Sequence, residues 1–151
     1  MHTTALRPSK SPRQHAAIAI KPFNILLVED ERFVREVAAE ILINAGYRVL
    51  KARNAGEAIK VFRRAHEPID LLITDVVLPG KNGCGLSDEL EMECPELKTI
   101  FISGYPENAV NVNIKSKRVA YLAKPFSVGS LTEKVREALE SRPQIFTDLH
   151  R

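Results

Sequence analysis

Residues 23–31 read Phe-Asn-Ile-Leu-Leu-Val-Glu-Asp-Glu (FNILLVEDE), and the change of character within this stretch decides the fold. Residues 23–28 are a short apolar run, rich enough to be a strand buried on both faces, and such a strand belongs in a parallel sheet covered by helices. The run ends abruptly in Glu29-Asp30-Glu31. Val34, Val37, Ala38, Ile41 and Ala45 then recur at helical spacing as an inner stripe, and Gly46 stands where that helix can stop.

The alternation continues along the chain. Residues 47–52 form a second strand, more polar and so placed at a sheet edge. Asn54 can cap a helix whose third residue is Glu57, with Ala58, Phe62 and Ala65 as its inner stripe. Residues 69–74 are a strongly apolar third strand running into Asp75. The turn formers Pro79, Gly80, Asn82 and Gly83 follow, then a helix marked by Leu86 and Leu90 that stops before Pro95. Residues 99–102 make a fourth strand ending at Ser103-Gly104, and residues 106–114 carry a helical pattern diluted by three Asn. Residues 119–123 are a fifth strand before Lys124-Pro125-Phe126. Val128, Leu131, Val135 and Leu139 space out a last helix, with Arg142-Pro143 at its end. Five strands alternating with five helices predict an α/β fold, a doubly wound five-stranded parallel sheet with right-handed crossovers. Its usual strand order is 2-1-3-4-5, the flavodoxin-like order.

Composition narrows the classes. The 151 residues are 44% hydrophobic and 27% charged, which suits one domain with a real core. No apolar run approaches the roughly 18 residues of a membrane-spanning helix, and no repeat exists beyond the alternation itself. Cys84 and Cys94 are too few for a disulfide framework and lack zinc-ligand spacing; they read as cytosolic thiols. The net charge of +3 belongs to one end: residues 1–22 hold Arg7, Lys10, Arg13 and Lys21 with three Pro and no acid, and the rest has one more acid than base. A nucleic-acid-binding body would carry its own basic face. Residues 1–22 are therefore expected to be a disordered basic arm, 23–141 the folded domain and 142–151 a short tail. The arm shares its acid-free composition with transit peptides, but its apolar stretch at 16–20 is too short for a signal-peptide core. A cytoplasmic protein without membrane contact is expected.

In a sheet of this order, functional residues gather beyond the carboxyl ends of the strands, and strands 1 and 3 lie side by side where the order reverses. Strand 1 delivers Glu29 and Asp30, strand 3 Asp75, strand 4 Ser103 and strand 5 Lys124. A single acid after a strand is commonly a helix cap. Capping does not explain three acids, a hydroxyl and a lysine on one rim. Carboxylates this close repel, so one is protonated or a cation sits among them. An all-oxygen set with no Cys or His selects a hard ion, and Mg²⁺ fits best. Such a site leaves room for a phosphoryl group, whose oxygens a lysine and a hydroxyl can hold, and a carboxylate beside Mg²⁺ can be the nucleophile that accepts it.

VEDE at 28–31, DVVLPGKNG at 75–83, ISG at 102–104 and YLAKPF at 121–126 stand in this order at these strand ends. Through them the chain, over residues 23–141, resembles the receiver domain of bacterial two-component response regulators, in the form of a stand-alone, single-domain receiver. The resemblance implies that Asp75 accepts phosphate from the phosphohistidine of a histidine kinase or histidine phosphotransfer protein. It implies that Asp30 and Asp75 ligate Mg²⁺ with the carbonyl of Val77, while Glu29 acts mostly through a bound water. Lys124 would pair with the phosphoryl group, Ser103 would bond it and move, and Tyr121 would follow with a change of rotamer. The bond before Pro125 is usually cis in this family. Departures from the common pattern are Glu29 for Asp, Ser103 for Thr, and Lys81, expected to point to water, at an often apolar position. Gly104-Tyr105 is a variant met in receivers attached to hybrid histidine kinases.

The implied function is a phosphorylation-activated switch that docks to an unknown downstream protein, not a turnover enzyme. The residues after Leu139 are too few for a helix-turn-helix, so no appended DNA-binding domain is expected. Alternatives are a phosphate shuttle in a multistep phosphorelay, the detached receiver of a hybrid histidine kinase, and a receiver that no longer uses phosphate. From other classes, a haloacid-dehalogenase-type phosphatase needs Asp-x-Asp after strand 1, where this chain has Glu29-Asp30. A flavodoxin-like FMN carrier needs a Ser/Thr/Gly-rich loop there, where Glu29-Asp30-Glu31 would repel phosphate.

Overall fold

Five parallel strands pair in the order β2-β1-β3-β4-β5: β1 (Asn24–Val28), β2 (Arg48–Ala52), β3 (Leu71–Asp75), β4 (Lys98–Ser103) and β5 (Val119–Ala123). The computed structural model describes residues 22–104 and 119–140. The arm up to residue 21, the expected helix at 106–114 and the tail at 142–151 lie outside the described residues. Four helices are described: α1 (Arg32–Asn44), α2 (Ala55–Arg64), α3 (Gly83–Glu93) and α4 (Val128–Glu140). The strand order is the one expected from the sequence.

Side chains alternate across β1. Ile25 and Leu27 join a core with Leu42 of α1 and Leu131, Val135 and Leu139 of α4. Leu26 and Val28 face the other way, onto Ala55 and Ala58 of α2 and Leu86 and Leu90 of α3. Each fully buried Leu or Ile contributes roughly 1.5–3 kcal/mol, so the sheet's two faces are the main source of stability. β2 is the edge, with only Ala52 buried along its length.

Two inner stripes differ from expectation. On α1 the buried residues are Ala38, Ala39 and Leu42, whereas Val37 and Ala45 are exposed. Apolar residues surround this helix, so spacing alone does not select a face; small Ala38 and Ala39 occupy the face that lies against the sheet. On α4, Val128 is exposed, because it is the helix's first residue and stands outside the contact. Strand ends shift by one or two residues: β3 begins at Leu71, and Asp70 N–H bonds the Asn24 carbonyl before the ladder starts (2.8 Å).

Two helix starts are closed by asparagine side chains, one of them the expected Asn54. Asn54 Oδ1 accepts from Glu57 N at 2.7 Å, and Glu57 returns the bond to Arg53 N. Asn82 Oδ1 accepts from Gly85 N at 2.8 Å. Among the described residues, no helix is long and apolar enough to cross a membrane.

Candidate functional site

The register sets the rim. Val28 pairs with Thr74, Asp75 with Ile102 and Ser103 with Ala123, so β1, β3, β4 and β5 end level with one another. The next residue of each strand, or its last, therefore opens into the same space. Glu29, Asp30, Asp75, Val77, Ser103 and Lys124 all line one open cavity of about 380 Å³. These are six of the seven site residues expected from the sequence.

Glu29 is 2% exposed and fixed at four points. Its N–H donates to the Ala52 carbonyl (3.1 Å) and its carbonyl accepts from Arg35 Nη1 (2.8 Å). Its Oε2 accepts from Glu31 N (3.0 Å), and its Oε1 lies 3.2 Å from Lys124 Nζ. Asp75, 5% exposed, places its Oδ1 3.1 Å from the same ammonium. Asp30 is exposed at the mouth, and one carboxylate oxygen from each of Glu29, Asp30 and Asp75 falls within 4.8 Å of the others. The Lys124–Pro125 bond is cis.

One ammonium is shared by two buried carboxylates, with a third nearby. Burial raises the Asp75 carboxyl and the Glu29 carboxylate beside it raises it further, to about 7, although Lys124 pulls the other way. Burial opposes the Lys124 charge, yet Asp75 and Glu29 together hold its pKa above the ordinary lysine value. The pocket is short of positive charge. An all-oxygen donor set with that deficit fits a hard divalent cation such as Mg²⁺.

Tyr121 does not line the cavity. It stacks on Phe101 (ring centroids 5.8 Å apart) in a small cluster with Val76 and Cys84. Among the described residues its buried hydroxyl has no hydrogen-bond partner, and burial, with Cys84 adding to it, raises the phenol's pKa. Lys81 pairs with Glu89 of α3 on the surface, away from the cavity, as its expected outward direction requires.

Two residues that the sequence reading does not single out for the site bear on it. Gly83 reads as a turn former, but a Cβ there would lie 2.0 Å from the Asp75 carbonyl oxygen. Its N–H also donates to the Val76 carbonyl at 2.8 Å. Close approach, not a positive φ, is what requires glycine, and the only signal is its place within DVVLPGKNG. Arg35 holds the Glu29 carbonyl from six positions further on, and no pattern separates it from a solvent-facing arginine.

The comparisons with known proteins point the same way. The response regulator receiver domain family matches residues 25–136. The chain is 37% identical over 119 residues to the sensor kinase CckA of Brucella abortus (strain 2308), which covers 78% of this chain but only 13% of that protein's length. It is 34% identical over 116 residues to the response regulator receiver protein CpdR of the same organism, covering 76% of this chain and 95% of CpdR. Among solved structures, the response regulator protein TrrA of Thermotoga maritima, in complex with Mg²⁺-BeF, aligns with a TM-score of 0.68 at 31% identity, covering 78% of this chain and 99% of that one.

Proposed function

Because the chain belongs to the response regulator receiver domain family, we propose that it is a phosphorylation-activated switch whose Asp75 takes a phosphoryl group from a histidine kinase or histidine phosphotransfer protein. The observation that carries this is the buried Asp75 carboxylate with the Lys124 ammonium 3.1 Å away, on a rim shared with Glu29 and Asp30.

An Asp75 carboxylate oxygen forms the new P–O bond as the phosphorus–nitrogen bond of the donor histidine breaks, and the freed imidazole leaves with the donor protein. Lys124 pairs with the transferred oxygens, and the Ser103 hydroxyl donates to one of them. Asp30, Asp75 and the Val77 carbonyl, with Glu29 through a water, are the residues that would hold Mg²⁺. When bound, that ion offsets the carboxylates' repulsion and the charge of the incoming group. The Mg²⁺-BeF complex of the similar TrrA supports this choice. Phosphate adds charge and acceptor oxygens at the ends of β3, β4 and β5. Ser103 and Tyr121 adjust, and a downstream protein reads the altered surface by docking. This is switching, not turnover. We place it in the cytoplasm, where thiols such as the free Cys84 and Cys94 stay reduced.

A second reading, a phosphate shuttle or the receiver portion of a hybrid kinase, is favoured by the likeness to CckA. The likeness to CpdR along nearly that protein's whole length favours the first. The phosphatase and flavin-carrier alternatives fall with the family assignment.

The test is incubation with Mg²⁺ and acetyl phosphate, followed by intact mass. Wild type is expected to gain one phosphoryl group and Asp75→Asn none. A wild type that stays unmodified, or an Asp75→Asn protein modified equally well, overturns the assignment.

A further inference from the structure

We infer that Arg35 is a positioning residue for the acidic pocket: its guanidinium, seated on the Glu29 carbonyl, holds the Glu29–Asp30 turn in the arrangement that takes Mg²⁺. The inference rests on the function proposed above and adds a residue to it.

The turn between β1 and α1 is closed in an unusual way. Glu31 is the N-cap of α1, yet its side chain makes no cap bond, and the first turn holds no acid. Two other bonds cross the turn in opposite directions. The Glu29 carboxylate reaches forward to accept from Glu31 N at 3.0 Å. The Arg35 guanidinium reaches back to donate to the Glu29 carbonyl at 2.8 Å. An ionised donor on a carbonyl makes a bond roughly twice as strong as a neutral pair.

Arg35 is committed to that carbonyl. Its side chain is 15% exposed, and its nearest acid, Glu36, is 3.9 Å away. Glu36 is already taken by Lys51 at 2.9 and 3.2 Å. Arg35 does not itself line the cavity, so any effect on the ion passes through Glu29 and its neighbour Asp30.

The demand on Arg35 rises during the proposed reaction. The free Glu29 carboxylate has Lys124 at 3.2 Å. When Lys124 turns to the phosphoryl oxygens, Glu29 loses that contact, and the Arg35, Glu31 and Ala52 bonds are what still fix the turn from its backbone side. Residues that orient a metal's ligands typically cost about 10- to 100-fold in affinity when removed. Arg35 acts through the backbone, one step further out, so the low end applies.

The experiment titrates wild type, Arg35→Met, Arg35→Lys and Ser87→Ala with Mg²⁺ alone, following amide NMR shifts, and records melting without metal. Ser87→Ala breaks the buried Ser87–Thr99 bond (3.0 Å) away from the pocket and serves as a destabilised control. Arg35→Met is expected to bind Mg²⁺ about tenfold more weakly and Arg35→Lys about threefold more weakly. Ser87→Ala should melt lower yet bind as wild type. Arg35→Met binding as tightly as wild type overturns the inference, as does an equal loss in Ser87→Ala, which would make the effect general destabilisation. If Arg35→Met does not fold, Arg35→Lys decides: a loss supports the inference and wild-type affinity overturns it. A wild type that binds no Mg²⁺ and gains no phosphoryl mass brings down the functional reading and this inference together. A wild type that does both while the Arg35 variants match it brings down this inference alone.

Discussion

The sheet carries a cavity at each end of β1, and the larger one is chemically the quieter. At the amino end, about 540 Å³ is lined by Arg48, Arg64, His66 and Glu67 over Val49 and Leu50. Its one lining acid, Glu67, pairs with Arg48 at 3.7 Å, and the neighbouring Asp70 carboxylate is taken by Asn24 N at 2.8 Å. At the carboxyl end, about 380 Å³ is lined by four acids, three of them clustered, against one ammonium, and the buried Asp75 responds with a pKa pushed to about 7. Volume does not make a site. A surplus of one charge sign, held by a backbone that cannot relax, does.

That rigidity is the first thing to test, and it should give the largest effect. A Cβ on Gly83 would sit 2.0 Å from the Asp75 carbonyl oxygen and 3.0 Å from its carbon, both backbone atoms. Gly83→Ala must therefore push α3 away from the end of β3. Forcing one extra carbon into a packed site costs about 1–3 kcal/mol, and backbone neighbours favour the upper end. A chemical-denaturation midpoint should fall accordingly, and phosphoryl acceptance with it. An unchanged midpoint would mean that the carboxyl-end rim yields to an extra carbon.

The charge surplus predicts a pH dependence of definite sign. Asp75 has a folded pKa raised from 3.8 to about 7 by burial and by Glu29. The folded state therefore holds a proton that the unfolded state has lost, and stability falls as pH rises between those values. Exposed Glu36 and Glu93, lowered by hydrogen bonds to Lys51 and Arg63, are ionised in both states above pH ~5 and do not offset it. In EDTA the protein should melt higher at pH 5 than at pH 8 from this group. Mg²⁺ competes with the same proton, so the gain in melting temperature on adding Mg²⁺ should be larger at pH 8. An equal Mg²⁺ gain at both pH values would show that the ion and the proton do not share Asp75.

Both the surplus and the sheet that gathers it are legible from residues alone. An apolar run that breaks into Glu29-Asp30-Glu31, and another into Asp75, marks strand ends, and parallel topology puts those ends together. What stays hidden is whatever depends on distances between elements. Nothing local separates Val37 from Ala39 on α1, because both are apolar and the helix's rotation is set by how closely small residues let it approach β1. Gly83 is hidden because its constraint comes from Asp75, eight positions earlier. Arg35 is hidden because a bond to a carbonyl leaves no complementary residue type in the sequence.

The smallest expected effect lies at the other end of β1 and closes the comparison. Arg48→Ala removes the cation that pairs with Glu67, and both side chains are substantially exposed at a separation of 3.7 Å. Exposed pairs of this kind are worth about 0–1 kcal/mol, since solvent already screens them and ordering two long side chains costs entropy. Arg48 also pairs through its backbone, its N–H donating to the Phe23 carbonyl at 3.0 Å, and alanine keeps that bond. The variant should melt close to wild type, with the small difference vanishing in high salt. Its Mg²⁺ affinity and its phosphoryl gain from acetyl phosphate should be unchanged, because Arg48 stands at the opposite end of its strand from the rim. If Arg48→Ala weakens either, the two ends of β1 are coupled, and the larger cavity has a part in the switch.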